Sequence, residues 1–268
     1  MKILHIADLH YDLKKFDWVV DVAPGVDLVV LAGDHLEIAN QIKRPAQSVV
    51  IRKYFQRISK LTKLIVSSGN HDLDEKDEFG ELTSKWIANA RLFGIPTDGD
   101  SLVIDDTLFS ICPWWDGVNA QYDINEQLQR DADSDSKRWV WIHHAPPEDS
   151  PTSWGGKVCY GDEELRRWID RYQPDLVLSG HVHQSPFIKD GSWADRIGKT
   201  WIFNGGHQPG RVPAHVLIDT ELDRAFWKSA YGAQTVTLDQ ATEGVLEPLR
   251  DAPEWVYSMD QWVDPRPV

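Results

Sequence analysis

Leu64-Ile65-Val66-Ser67-Ser68-Gly69-Asn70-His71-Asp72 is an apolar run that breaks into a polar turn. The run has the length of a buried strand, and Gly69 lets the backbone turn without a Cβ clash. Asn70 offers a carbonyl oxygen to a metal, His71 an imidazole for proton transfer, and Asp72 a carboxylate to orient its neighbours. Taken singly these are ordinary turn residues. The design, however, recurs. Residues 3–7 lead into Asp8-Leu9-His10, and Leu28-Val29-Val30-Leu31 into Gly33-Asp34-His35. Residues 139–142 lead into His143-His144-Ala145-Pro146-Pro147, and Leu176-Val177-Leu178 into Gly180-His181-Val182-His183.

Between these runs the spacing turns helical. Phe16, Val19, Val20 and Ala23 share one stripe, stopped by Pro24-Gly25. Pro45 opens a second helix, with Ile51, Tyr54, Phe55 and Ile58 on one side. Trp86, Ala90 and Phe93 mark a short third helix, the polar segment 122–137 a surface helix, and Leu165, Trp168, Ile169 and Tyr172 a last one. Residues 74–80 read as an acidic loop and 148–160 as a loop rich in Gly, Pro, Ser and Thr. Residues 102–104 and 108–111 read as a hairpin around Asp105-Asp106. Further on, 200–203, 214–218 and 224–229 are successive strands with no helix between them. Helix–strand alternation followed by a strand-rich end predicts an α/β protein with two packed sheets flanked by helices. One domain is expected over 1–235. Residues 236–268 form an extension without periodicity, in which Trp255 and Trp262 could dock onto the body.

The net charge of −14 over 268 residues argues against general affinity for nucleic acid or anionic membrane. An anionic substrate remains compatible, because bound cations reverse the sign inside a cleft. No apolar run is long enough to span a bilayer. Cys112 and Cys159 form no Cys-x-x-Cys pair, and the first strand starts so early that no removable leader is expected, which reads as cytoplasmic. The 13 tryptophans are expected to serve packing, with one or two walling a cleft.

In a parallel sheet the carboxyl ends of the strands share one edge, and ligands bind there. Asp8, His10, Asp34, Asn70, His143, His181 and His183 would therefore converge. Their oxygen and nitrogen donors are too many for one tetrahedral ion and suit borderline divalent metals. Asp34 can bridge two ions, and a pair roughly 3.5–4 Å apart would clamp an in-line displacement at phosphorus. His143 and His144 face opposite ways if the strand continues, so only one of them reaches the ions.

The order Asp-x-His, Gly-Asp, Gly-Asn-His-Asp, His, Gly-His-x-His, running from Asp8 to His183, resembles the calcineurin-like metallophosphoesterase superfamily. The resemblance implies a four-layer α/β/β/α sandwich. It implies a first metal on Asp8, His10, Asp34 and His183, and a second on Asp34, Asn70, His143 and His181, the pair being Mn, Fe, Zn or a mixture. It further implies a hydroxide between the metals as nucleophile and His71 beside the leaving-group oxygen. Asp72 and Glu37 are grouped with His71 as catalytic candidates, Glu37 standing where relatives carry an Asp or Asn that sometimes holds the imidazole, with a solvated side chain as the alternative. Asn204 and His207 occupy a turn that in relatives lies near the substrate. Lys157 and Arg211 are candidate phosphate grips, and Trp114-Trp115 a candidate wall of the cleft. The implied activity is hydrolysis of a small-molecule phosphate ester, most simply a small phosphodiester. A nuclease or phosphomonoesterase is the alternative, and a metal-free scaffold a third reading. The subunit count is not legible.

Overall fold

The computed structural model describes residues 1–239. Its centre is a pair of six-stranded sheets packed face to face. In the first sheet β1 (Lys2–Ile6), β2 (Leu28–Ala32) and β3 (Lys63–Ser67) run parallel, as their uninterrupted apolar character requires. The acidic loop holds a miniature two-stranded sheet, β4 (Glu75–Lys76) with β5 (Leu82–Thr83). The second sheet begins with the hairpin β6 (Ser101–Ile104) and β7 (Thr107–Ile111). Both of its turn residues, Asp105 and Asp106, lie at positive φ, as a tight hairpin turn demands. This sheet continues through β8 (Arg138–Ile142), β9 (Leu176–Ser179), β10 (Ala194–Ile197) and β11 (Thr200–Asn204) in the order β10-β11-β9-β8-β7-β6. β7, β8, β9 and β11 are mutually parallel. The chain then returns to the first sheet as the antiparallel strands β12 (His215–Asp219), β13 (Arg224–Ser229) and β14 (Gly232–Thr237), with β12 against β1.

Alternation along each strand divides the apolar residues between layers. Leu28 and Val30 meet Val140, Ile142, Leu176 and Phe203 between the sheets. Val29 and Leu31 face outward under α1 (Leu13–Val22), α2 (Arg44–Ile58) and α3 (Lys85–Ala88). Trp141, Val177 and Ile202 face outward on the second sheet, under α4 (Val118–Asp131) and α5 (Glu163–Tyr172). The result is the expected helix–sheet–sheet–helix sandwich. Both ends of the expected polar helix shift: α4 starts at Val118, and Asp131 near its end is buried as an acceptor for the Ser101 and Ser110 hydroxyls. β14 runs two residues past the expected boundary at 235. From residue 240 onward the predicted extension, with Trp255 and Trp262, lies outside the described residues.

Among the described residues, no helix is long and apolar enough to cross a membrane.

Candidate metal centre

Because β1, β2 and β3 are parallel, and β7, β8, β9 and β11 likewise, the turns after β1, β2, β3, β8 and β9 meet over one end of the sandwich. Asp8 and His10 come from the first of these turns, Asp34 from the second, Asn70 and His71 from the third. His143 and His144 follow β8, and His181 and His183 follow β9.

The two carboxylates form the floor, Asp8 1% and Asp34 2% exposed. On one side His183 Nε2 lies 3.2 Å from Asp8 Oδ1 and 3.0 Å from His10 Nε2. On the other, His144 Nε2 lies 3.2 Å from Asp34 Oδ2, and His181 Nδ1 is 3.1 Å from Asn70 Oδ1. Asp34 Oδ2 is also 3.9 Å from His10 and 3.8 Å from His71. Three ligand-grade groups result: Asp8–His10–His183, His10–Asp34–His71 and Asp34–His144–His181.

Backbone strain builds this arrangement. Asp8, His10, Asp34 and His181 all have φ between 47° and 67°. The left-handed region costs a non-glycine residue about 1 kcal/mol or more and persists where the surroundings over-determine it, commonly at functional sites. The adjoining glycines are steric requirements. A Cβ on Gly33 would stand 2.4 Å from His144 Nδ1, and one on Gly69 2.2 Å from Asp34 Oδ1.

The electrostatics fit a cation. Burial alone would raise the Asp34 carboxyl and lower the His144 imidazole; their mutual attraction reverses both, with Asp8 assisting at His144 and opposing at Asp34. Asp34 is drawn down to about 2 and His144 pushed up to about 9. Asp8 lies well below the usual carboxylate range, because the charge of His144 and hydrogen bonds from His10 and His183 overcome its burial. His144 Nδ1 lies 2.7 Å from the Ala32 carbonyl, which can only accept, so Nδ1 carries the proton and Nε2 is the atom turned toward the carboxylates. That Nε2 makes no well-directed hydrogen bond. The carboxylates that retain an imidazolium proton there would hold a metal cation by the same field, and the Ala32 contact would fix the metal-binding tautomer. The donor set therefore fits divalent ions, two being the number implied by the split into two sides with Asp34 between them.

Four of the sequence expectations change. His143 is not at the carboxylates: it stacks on Trp115 with ring centroids 4.3 Å apart, and burial lowers it to about 3. His144 takes the ligand position instead. Asp72 does not face the reacting side. Its fully buried carboxylate accepts from the backbone N–H groups of His35, Leu36 and Gly69, bracing the Asp34 turn against the Asn70 turn. Asn204 is also buried, its amide donating to Thr152 and Val182 carbonyls and accepting from Gly206 N, so it cannot reach a substrate. Arg211 pairs with Asp21 on the surface.

Lys157 is exposed on the 148–160 loop, whereas Glu37, His207 and Trp114 lie at the centre. Glu37 Oε2 is 3.5 Å from His10 Nδ1, and Oε1 is 3.9 Å from His71 Nδ1. His207 Nδ1 donates to the Asp8 carbonyl at 2.7 Å. The Trp114 ring lies 5.0 Å from that of His181 and walls that side. Lys15, buried beside His207, carried no sequence signal.

We expect Asp72→Asn to lower stability by about 2 kcal/mol, because one of three backbone donors loses its acceptor or meets an N–H. Loosening of the two braced turns should also cut turnover about 10- to 100-fold. Denaturant titration and kinetics on the same preparation check both; an unchanged midpoint removes Asp72 as the brace.

A family model described as calcineurin-like phosphoesterase matches residues 1–185, which include every donor at the centre. The chain belongs to the calcineurin-like phosphoesterase family. Members are metal-dependent phosphoesterases, in keeping with the donor set above. No curated protein sequence matches the chain. Among solved structures, a Thermus thermophilus protein, TT1561, is similar at 16% identity and a TM-score of 0.56, over 88% of this chain and 98% of that one. A dimetal phosphatase from Danio rerio is similar at 11% identity and a TM-score of 0.56, over 89% and 99%. A purple acid phosphatase from yellow lupin (Lupinus luteus) seeds is similar at 12% identity and 0.54, over 94% of this chain and 57% of that one. At such identities the likeness concerns the fold. The shared fold covers more of the chain than the family model does.

Proposed function

We propose that this phosphoesterase is a dinuclear-metal-dependent hydrolase of small phosphodiesters. The observation that carries the reading is Asp34, a buried carboxylate with ligand-grade imidazoles on both sides, His10 toward Asp8 and His183, and His144 toward His181. Asp8, His10, Asp34 and His183 would hold one ion, and Asp34, Asn70, His144 and His181 the other. Bound there, Mn, Fe or Zn ions supply Lewis acidity toward a phosphoryl oxygen and make water a better nucleophile near neutral pH.

The protein's own groups supply the rest. His71 donates its backbone N–H to Asp34 Oδ1 at 2.9 Å, which fixes the ring at the edge of the centre. Its partly exposed imidazole is placed to give a proton to a departing alkoxide. Glu37 stands at the Nδ1 side and orients that ring. Trp114 excludes water beside His181. The diester preference draws on the retained His10, since relatives that keep this histidine often act on diesters. The charge of −14, with no basic track, favours small substrates over nucleic acid. A cytoplasmic setting belongs to the same reading, supported by two unpaired cysteines.

Metal analysis and assays on bis(p-nitrophenyl) phosphate and p-nitrophenyl phosphate test this. Two metals per chain are expected, with activity lost on chelation, restored by Mn²⁺ or Zn²⁺, and higher on the diester. Turnover of the monoester alone would overturn the diester preference, and absence of both metal and turnover would leave a scaffold. His71→Ala should retain its metals and lose about 100-fold in kcat; a full rate would remove His71 from the mechanism.

A further inference from the structure

Lys15 lies in the first turn of α1, five residues after His10, and is only 2% exposed. Its Nζ is 3.4 Å from each ring nitrogen of His207. Among the described residues no carboxylate comes within ion-pair distance of it; Asp12 and Asp8 act on it only through their fields. The His207 tautomer is fixed by chemistry. Nδ1 faces the Asp8 carbonyl at 2.7 Å and must be the donor there, while the ammonium, equidistant from both ring nitrogens, lies over the face of the neutral ring and off the axis of the Nε2 lone pair. At most one of the three ammonium protons is thereby matched.

The location gives this cation a purpose. The His207 ring stands 4.9 Å from the ring of His183 and 5.3 Å from that of His10, so the ammonium is held at the Asp8–His10–His183 side of the centre. A buried charge without a counterion is costly and calls for an anion. In a site that takes a phosphate ester, the anion of the right size and charge is the phosphoryl group.

We infer that Lys15, seated on His207, is a phosphate-binding residue that donates to a non-bridging oxygen of the bound phosphoryl group. This rests on the hydrolase reading above and extends it to a group outside the ligand set. Burial lowers the Lys15 pKa, and the fields of Asp12 and Asp8 oppose that shift, which favours the charged form when an anion arrives.

The test uses the full chain loaded with metal and titrated calorimetrically with inorganic phosphate, alongside kinetics on bis(p-nitrophenyl) phosphate. Lys15→Met and Lys15→Gln should each raise the phosphate Kd and the ester KM about tenfold while keeping both metals. Lys15→Gln keeps a donor toward His207 and removes only the charge, so it also serves if the methionine variant fails to fold. Lys15→Arg should stay within about threefold of the parent, since it restores the charge and donors. An unchanged phosphate Kd in Lys15→Gln would overturn the assignment. So would losses in all three variants that track lost metal, the signature of a purely structural lysine. Phosphate binding is read without turnover, so a parent protein that binds phosphate yet hydrolyses neither ester would sink the hydrolase reading while leaving this one measurable.

Discussion

Replacing Asp34 with asparagine is expected to lower kcat/KM at least about a thousandfold, equivalent to about 4 kcal/mol of transition-state stabilisation, and to leave the protein with less than one metal per chain. The two carboxylate oxygens have separate tasks. Oδ1 accepts the His71 backbone N–H at 2.9 Å, whereas Oδ2 faces His144 at 3.2 Å and lies within 4 Å of His10 and His71. An amide has one acceptor oxygen. If that oxygen keeps the His71 N–H, the NH₂ group points its protons at the ions' place; if it turns to the ions, the His71 turn is released. Neither rotamer restores the bridge. Elemental analysis of the dialysed protein with steady-state kinetics reads the result, and two tightly held metals in Asp34→Asn would show that the centre does not depend on a shared carboxylate.

The fold was legible because local and global signals agree along most of the chain. Most apolar runs end in polar punctuation and most intervening segments have helical spacing. The loss of that spacing after residue 184 marks the strand-rich end, which completes the second sheet with β10 and β11 before β12 returns to the first. The misses have local causes. β10 reads Ala-Asp-Arg-Ile and β14 Gly-Ala-Gln-Thr-Val-Thr, edge strands whose half-polar sequences lack an apolar run. Phe93 was expected on the buried stripe of α3, yet it is 50% exposed. The α-helix ends at Ala88 and gives way to a 3₁₀ turn over Asn89–Phe93, so Phe93 is the last residue before the left-handed Gly94 and not part of a continuing α-helical stripe.

At the site, the donors standing at strand ends were readable because a parallel sheet gathers its strand ends whatever the tertiary detail. Residues whose place depends on who packs against them were not. Asn204 has the sequence look of a site residue, but its amide closes on two backbone carbonyls from other segments, contacts no local pattern announces. Lys15 looks like an exposed helix residue, and only the docking of the His207 turn over it makes it a buried cation. Asp72 was read as an orienting carboxylate, and it does orient. Its partners are the backbone of its own and the neighbouring turn, and it stands apart from the reacting groups.

The choice between the paired histidines leads to the other large effect. His144→Ala should cost about 100- to 1000-fold in kcat/KM and remove one metal, whereas His143→Phe should stay within about threefold of the parent. The parity of β8 gives the reason. Val140 and Ile142 point between the sheets, and His144 continues their alternation toward the Asp34 turn of the first sheet. Trp141 points outward under the helices, and His143 continues that side against Trp115, itself packed on Trp168. A phenylalanine at 143 keeps the stacked ring and removes only nitrogens that meet neither carboxylate. At 144 nothing substitutes for the imidazole: its Nδ1–H on the Ala32 carbonyl aims Nε2, and Gly33 must lack a Cβ to let the ring lie there. Metal content separates the two roles cleanly. If His143→Phe were the variant that lost metal and rate, the alternation would have to break after Ile142, and the ligand would be the first histidine of the pair.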